Sequence, residues 1–160
     1  MRIKDIVVED FINYRLPSIF IASAFCDWKC CTEQNLPVET CQNSALAAAP
    51  IRDIPDYTLW LVFTGSDIAK AVVIGGLEPF QQIAELFNLI KTFRDHGTDC
   101  PFVIYTGYTP DEIQPQLALL RPFGNIIVKF GRYVPGDPPH VDPVLGVLLA
   151  SNNQFAEQIC

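Results

Sequence analysis

Positive charge is scarce in this sequence: eleven lysines and arginines stand against eighteen aspartates and glutamates, a formal net charge of −7 over 160 residues. An acidic chain gains nothing from phosphate contacts, which excludes general nucleic-acid binding. Long apolar runs are missing too, and none approaches the ~20 residues of a bilayer span. The opening Met1-Arg2-Ile3-Lys4-Asp5 puts charges where the apolar segment of a secretory signal belongs. The chain therefore reads as soluble and cytoplasmic, with no membrane partner. Histidine is nearly absent, and neither His96 nor His140 lies near Cys26, Cys30 or Cys41 in sequence. No repeat long enough for a solenoid and no low-complexity tract is present. With 49% hydrophobic and 18% charged residues, a proper core forms and disorder is excluded. The length suits one domain covering 1–160.

Strand-like apolar runs stand out. Ser18–Ser23 leads directly into Cys26, and Ala71–Ile74 closes on Gly75-Gly76. Phe102–Tyr105 ends at Thr106-Gly107, and Asn125–Val128 follows the same pattern. Between them, Pro79 opens a helix in which Ile83, Leu86, Phe87, Ile90 and Phe93 share one face, with Gly97 as its C-terminal cap. Pro110-Asp111-Glu112 starts a second helix that runs to about Leu120. Leu59–Phe63 is ambiguous between helix and strand, Val144–Leu149 is a further strand candidate, and residues 131–143 read as a surface loop rich in glycine and proline. Alternation of strand, glycine loop and helix defines an α/β fold with a mainly parallel sheet. In such sheets ligands bind beyond the carboxyl ends of the strands. The cysteine loop, Gly75-Gly76 and Thr106-Gly107 all fall there.

Of six cysteines, four lie between residues 26 and 41. Taken singly, each is a small packed side chain. A structural zinc or a fully ligated iron–sulfur cluster asks for four ligands, and the spacing, three residues between Cys26 and Cys30 and ten between Cys30 and Cys41, fits no familiar zinc pattern. Three thiolates suit a cluster that keeps one iron open. Cys31 is a further candidate ligand, although adjacent cysteines do not easily reach different irons of one cube. Cys100, at the start of a strand, and Cys160, at the terminus, are bystanders. His96 reads as a helix-end contact, His140 as part of a solvated loop. Trp28 either shields the cysteines from water or packs in the core.

In these residues the chain resembles the radical S-adenosylmethionine family, and within it the small activating enzymes of glycyl-radical proteins. Cys26-Asp27-Trp28-Lys29-Cys30 keeps the first half of the family's three-cysteine motif, and Cys41-Gln42-Asn43-Ser44 is similar to its second half, with eight extra residues between. Gly75-Gly76-Leu77-Glu78-Pro79 resembles the Gly-Gly-Glu-Pro segment with Leu77 inserted. Tyr105-Thr106-Gly107-Tyr108 resembles the Thr-Gly ending the next strand. Glu9–Ser18, Gly131-Arg132-Tyr133 and Ser151-Asn152-Asn153-Gln154 are similar to three further segments, so the likeness spans nearly the whole chain.

The resemblance implies an open, partial (βα) barrel and a [4Fe–4S] cluster on Cys26, Cys30 and Cys41. It implies that Thr40, Gln42, Asn43, Gly75, Gly76, Glu78, Thr106 and Gly107 surround S-adenosylmethionine, with the glycines and Glu78 near the methionyl amino group. The reaction implied is one-electron cleavage of the sulfonium to methionine and a 5′-deoxyadenosyl radical, which takes hydrogen from a glycine of a partner such as anaerobic ribonucleotide reductase. Flavodoxin or ferredoxin would donate the electron. Two other readings stay open: a radical enzyme acting on a small molecule or peptide, and a non-catalytic iron–sulfur or zinc protein.

Overall fold

A computed structural model describes all residues from Met1 to Cys160. Four strands, β2 (Ser18–Ser23), β4 (Ala71–Gly75), β5 (Phe102–Tyr105) and β6 (Ile126–Phe130), lie side by side and parallel. Nearly every residue in them is buried, which is why they read as unbroken apolar runs: both faces of the sheet are covered. Register sets Phe20 beside Val73, Val73 beside Val103, and Val103 beside Ile127, one row on one face.

Three helices follow the strands in order. They are α3 (Asp56–Thr64), α4 (Ile83–Asp95) and α5 (Gln114–Leu120). All three bury residues in the same core cluster as Ile19, Ile21, Val72, Ile74, Phe102, Ile104, Ile126 and Val128, so they cover one face of the sheet. The ambiguous Leu59–Phe63 is thus helical. In α4 the buried stripe is Leu86, Leu89, Ile90 and Phe93, with Ile83 and Phe87 at its margin. Both helices expected after a proline begin instead with a 3₁₀ turn, Pro79–Gln82 before α4 and Pro110–Glu112 before α5. The second is separated from its helix by Ile113, whose ψ of 23° interrupts the winding.

Antiparallel strands complete the sheet at both edges. β1 (Arg2–Asp10) pairs with β2, β3 (Arg52–Asp53) with the start of β1, and β9 (Phe155–Gln158) with β6. The order across the seven strands is β3-β1-β2-β4-β5-β6-β9. The Val144–Leu149 strand expected from sequence is reduced to β8 (Leu148–Leu149), which pairs with β7 (His140–Val141) outside the main sheet. No helix is long and apolar enough to cross a membrane.

The second face of the sheet is covered by loops rather than helices. Tyr14, Leu145 and Leu149 pack on Ala71, Val73, Val103 and Ile127. Residues 131–143 are a largely exposed surface loop, as expected from sequence, and the buried Asp142 near its end anchors the cover that follows. This buried carboxylate accepts hydrogen bonds from the backbone N–H groups of Val144 (2.9 Å), Leu145 (2.8 Å) and Ala156 (2.9 Å). Asp142→Ala would strand all three donors. A loss of about 3–5 kcal/mol is expected in urea unfolding, against less than about 0.5 kcal/mol for an exposed aspartate such as Asp67.

Candidate functional site

The carboxyl ends of the parallel strands open into one cavity of about 660 Å³. Cys26, Cys30, Cys31, Thr40, Cys41, Gln42, Asn43, Gly76, Glu78, Thr106 and Gly107 all line it. Every site residue expected from sequence is present except Gly75. That glycine ends β4 beneath the wall, where its carbonyl accepts from the Ser23 hydroxyl (2.9 Å) and a Cβ would meet Tyr105 at 3.1 Å. Gly76 carries the opening turn. Its φ of +77° suits glycine, and an added Cβ would lie 2.8 Å from Leu46 and 3.2 Å from Ala22.

Local bonding explains the shape of the cysteine loop. Its entry is tied to the β4 turn, because the Glu78 N–H donates to the Phe25 carbonyl (2.8 Å) and the Ala24 N–H donates to Gln82 Oε1 (2.7 Å). Trp28 sits at φ 59°, and its N–H donates to Cys26 Sγ at 3.3 Å. A one-turn helix, α1 (Lys29–Thr32), carries Cys30 toward the cavity and buries Cys31. The two neighbouring sulfurs lie 3.9 Å apart. The exit passes through Cys41 into α2 (Ser44–Ala48). The Lys4 ammonium caps the last turn of α2 by donating to the carbonyls of Ala47 (2.7 Å) and Ala49 (2.6 Å).

Burial pushes the Cys26 thiol up to about 11, with the charges of Glu78, Asp27 and Cys41 acting in the same direction. Cys30 is pushed up to about 12 by burial, by its hydrogen bond with Cys31, and by the charges of Cys31, Cys41 and Cys26. These thiols feel one another across the same space and are protonated at neutral pH, so a metal centre binding there must displace protons. No group of three or more His, Cys, Asp or Glu side chains converges tightly enough to hold a single metal ion. The donors are sulfur, without histidine, which is the soft set that iron–sulfur clusters take. An iron–sulfur cube asks its thiolates to surround a volume rather than meet at a point, and Cys26, Cys30 and Cys41 line one cavity.

Opposite the thiols lies a buried carboxylate. Glu78 Oε1 accepts from the Thr106 hydroxyl (2.8 Å) and the Phe80 N–H (3.1 Å), and Oε2 accepts from the Gly107 N–H (2.9 Å). Burial still wins over these three donors and pushes Glu78 up to about 7. Leu77, inserted in the sequence motif, is itself buried, and the insertion leaves Glu78 aimed at the Thr106-Gly107 turn. Lys129, at the end of β6, also lines the cavity. Its ammonium donates to the Gly131 carbonyl (2.9 Å), and burial lowers it to about 8 against the pull of Glu78 and Cys30. Sequence reasoning missed Lys129 because it stands inside an apolar strand run with no motif around it.

At the rim, Glu112 binds Arg132 (2.6 Å) and Lys29 (2.7 Å), which holds its carboxyl well below the usual carboxylate range. His96 accepts its sequence-expected place at the end of α4, with Nδ1 2.8 Å from the Thr92 carbonyl and its ring 4.5 Å from Trp60. Cys100 and Cys160 are remote from the cavity. Comparisons with protein-family models, with curated proteins and with solved structures found no match.

Proposed function

We propose that this chain is a radical S-adenosylmethionine enzyme of the glycyl-radical activating type, built on an open, partial (βα) barrel. The observation that carries this reading is convergence. Cys26, Cys30 and Cys41, the Gly76–Glu78 turn and the Thr106-Gly107 turn come from separate parts of the chain and line one cavity at the carboxyl ends of parallel strands.

Cys26, Cys30 and Cys41 would hold a [4Fe–4S] cluster. When bound, the cluster and S-adenosylmethionine supply one-electron cleavage of a sulfonium and hence a carbon radical, with flavodoxin or ferredoxin as electron source. The chain's own residues bind and orient. Glu78, fixed by Thr106 and Gly107, offers an anion to the methionyl ammonium, and Lys129 offers a cation to the methionyl carboxylate. Each counter-charge relieves the burial penalty of the protein group it meets. Gly76, whose positive φ and packing against Leu46 and Ala22 admit no side chain, shapes the backbone turn at the cavity wall. Gln42, Asn43 and Thr40 stand on the side where the adenosyl portion would lie. Ile12 and Leu148, 78% and 66% exposed, border the mouth and suit a polypeptide such as the glycine loop of anaerobic ribonucleotide reductase.

Anaerobic reconstitution of the full chain with ferrous iron and sulfide tests the reading. The expected result is near-stoichiometric uptake of both, followed under reduction by equal yields of methionine and 5′-deoxyadenosine. Uptake of zinc alone, with no sulfide, would favour a structural metal site. Cluster uptake without cofactor cleavage would favour a fully ligated, non-catalytic centre in which Cys31 takes the fourth corner. Cleavage without a glycyl-radical signal on added reductase would redirect the search to a small molecule or another peptide.

A further inference from the structure

One phenol joins the cysteine loop to the sheet. The Tyr108 hydroxyl donates to Asp27 Oδ2 at 2.6 Å, and the Gln81 side-chain amide donates both to the Tyr108 oxygen and, at 3.3 Å, to Asp27 Oδ2. Asp27 is the residue after Cys26, and its other oxygen accepts from the Lys29 N–H (3.2 Å) at the start of the turn that carries Cys30. Tyr108 is buried, and its backbone N–H donates to the Thr106 hydroxyl (3.0 Å), which in turn donates to Glu78. A continuous chain of bonds therefore runs from the thiol loop to the buried carboxylate across the cavity.

We propose that Tyr108, acting through Asp27, is the positioning residue that holds Cys26 and Cys30 at the cavity wall in register with Glu78. The inference rests on the reading that those thiols are ligands. The need for such an anchor is local. Trp28, between the two cysteines, occupies left-handed backbone at φ 59°, a conformation a bulky residue keeps only where its surroundings over-determine it. The helix that follows is four residues long and cannot hold its own ends. Other ties to the loop do not replace this one. The Lys29 and Glu33 ion pairs are exposed and weakened by salt, whereas the phenol–carboxylate bond is partly buried and charge-assisted. Gln81 gives a weaker contact to the same oxygen.

Tyr108→Phe in the full chain removes only the donor. In the metal-free protein, amide hydrogen exchange across residues 26–36 should quicken about tenfold while β4 and β5 stay unchanged. After anaerobic reconstitution, iron release to a ferrous chelator should quicken by about tenfold, and the reduction potential of the cluster should move as the Asp27 carboxylate loses its donor. Asp27→Ala should reproduce these effects. Asp27→Asn keeps one acceptor oxygen, enough for the phenol but not also for the Lys29 N–H, and should fall between Asp27→Ala and the wild type in exchange and iron retention. Because Asp27 is exposed, its variants keep the test open should Tyr108→Phe fold poorly. Exchange and iron release within twofold of wild type in Tyr108→Phe and Asp27→Ala would overturn the proposal, as would an equal rise in exchange throughout the strands. Failure of the wild type to take up iron would count against the functional reading instead, and loop exchange would still decide the role of Tyr108.

Discussion

Cys41→Ala is expected to abolish sulfide-bridged iron binding, with cofactor cleavage falling by at least about a hundredfold. Cys26→Ala and Cys30→Ala should do the same, whereas Cys31→Ala should keep the cluster. The contrast separates the two candidates for the third ligand. Cys31 lies in the same cavity, but its residue is only 3% exposed and its sulfur sits 3.9 Å from that of the adjacent Cys30, with which it shares one short helix. Cys41 is half-exposed, enters from a separate segment and acts electrostatically on both Cys26 and Cys30. Iron and sulfide analysis of the four single variants checks the assignment. Loss in Cys31→Ala with retention in Cys41→Ala would reverse it. Loss in all four would point to a closed, four-thiolate centre.

The buried pair Glu78 and Lys129 gives the second large effect, on stability as a function of pH. Glu78 is raised from 4.5 to about 7, so between these values the folded chain binds more protons than the unfolded one. Stability contributed by this site is present below pH 4.5, falls as pH rises to 7, and stays lost above it. The loss is roughly 3 kcal/mol. Lys129 is lowered from 10.5 to about 8, which carries the opposite slope: its penalty is full below pH 8 and fades as pH rises toward 10.5. Both penalties overlap between pH 7 and 8, and the metal-free chain should show a shallow minimum of site stability there. Glu78→Gln removes the acidic limb. In urea unfolding from pH 5 to 8 the wild type should lose roughly 2–3 kcal/mol of stability relative to the variant as pH rises, because only the wild type acquires a buried charge. A flat difference across that range would show that Glu78 ionises freely. With the cluster in place, the same variant should weaken S-adenosylmethionine binding by about two orders of magnitude, because a buried charge on the ligand loses its partner.

Part of the cavity lining was legible from where the strands end and the rest from the resemblance, and the gaps have physical causes. Cys26, Cys30 and Thr106-Gly107 were placed because each follows a strand end, and in a parallel sheet strand ends gather on one side, whereas Glu78 came only from the resemblance. Of Gly75-Gly76 only the second lines the cavity: the turn begins at Gly76, where φ becomes positive, and Gly75 still belongs to the strand. Lys129 and Tyr108 carry no local mark. A lysine inside Ile126–Phe130 looks like an exposed strand position until the sheet buries it, and the tie from Tyr108 to Asp27 joins residues 81 positions apart.

By itself the sequence determined the parallel centre of the fold, since strands covered on both faces must be apolar throughout and their helices must show a single buried stripe. It left the edge strands unread. β1 mixes Arg2, Lys4, Asp5, Glu9 and Asp10 with its apolar residues, and β9 is four residues long, because an edge covered on one side asks little of composition. Tertiary structure alone decided that loops rather than helices cover the second face, that Asp142 pins them, and that a lysine and a glutamate meet the thiols across one cavity. Those outcomes depend on contacts between distant segments, and periodicity carries no record of them.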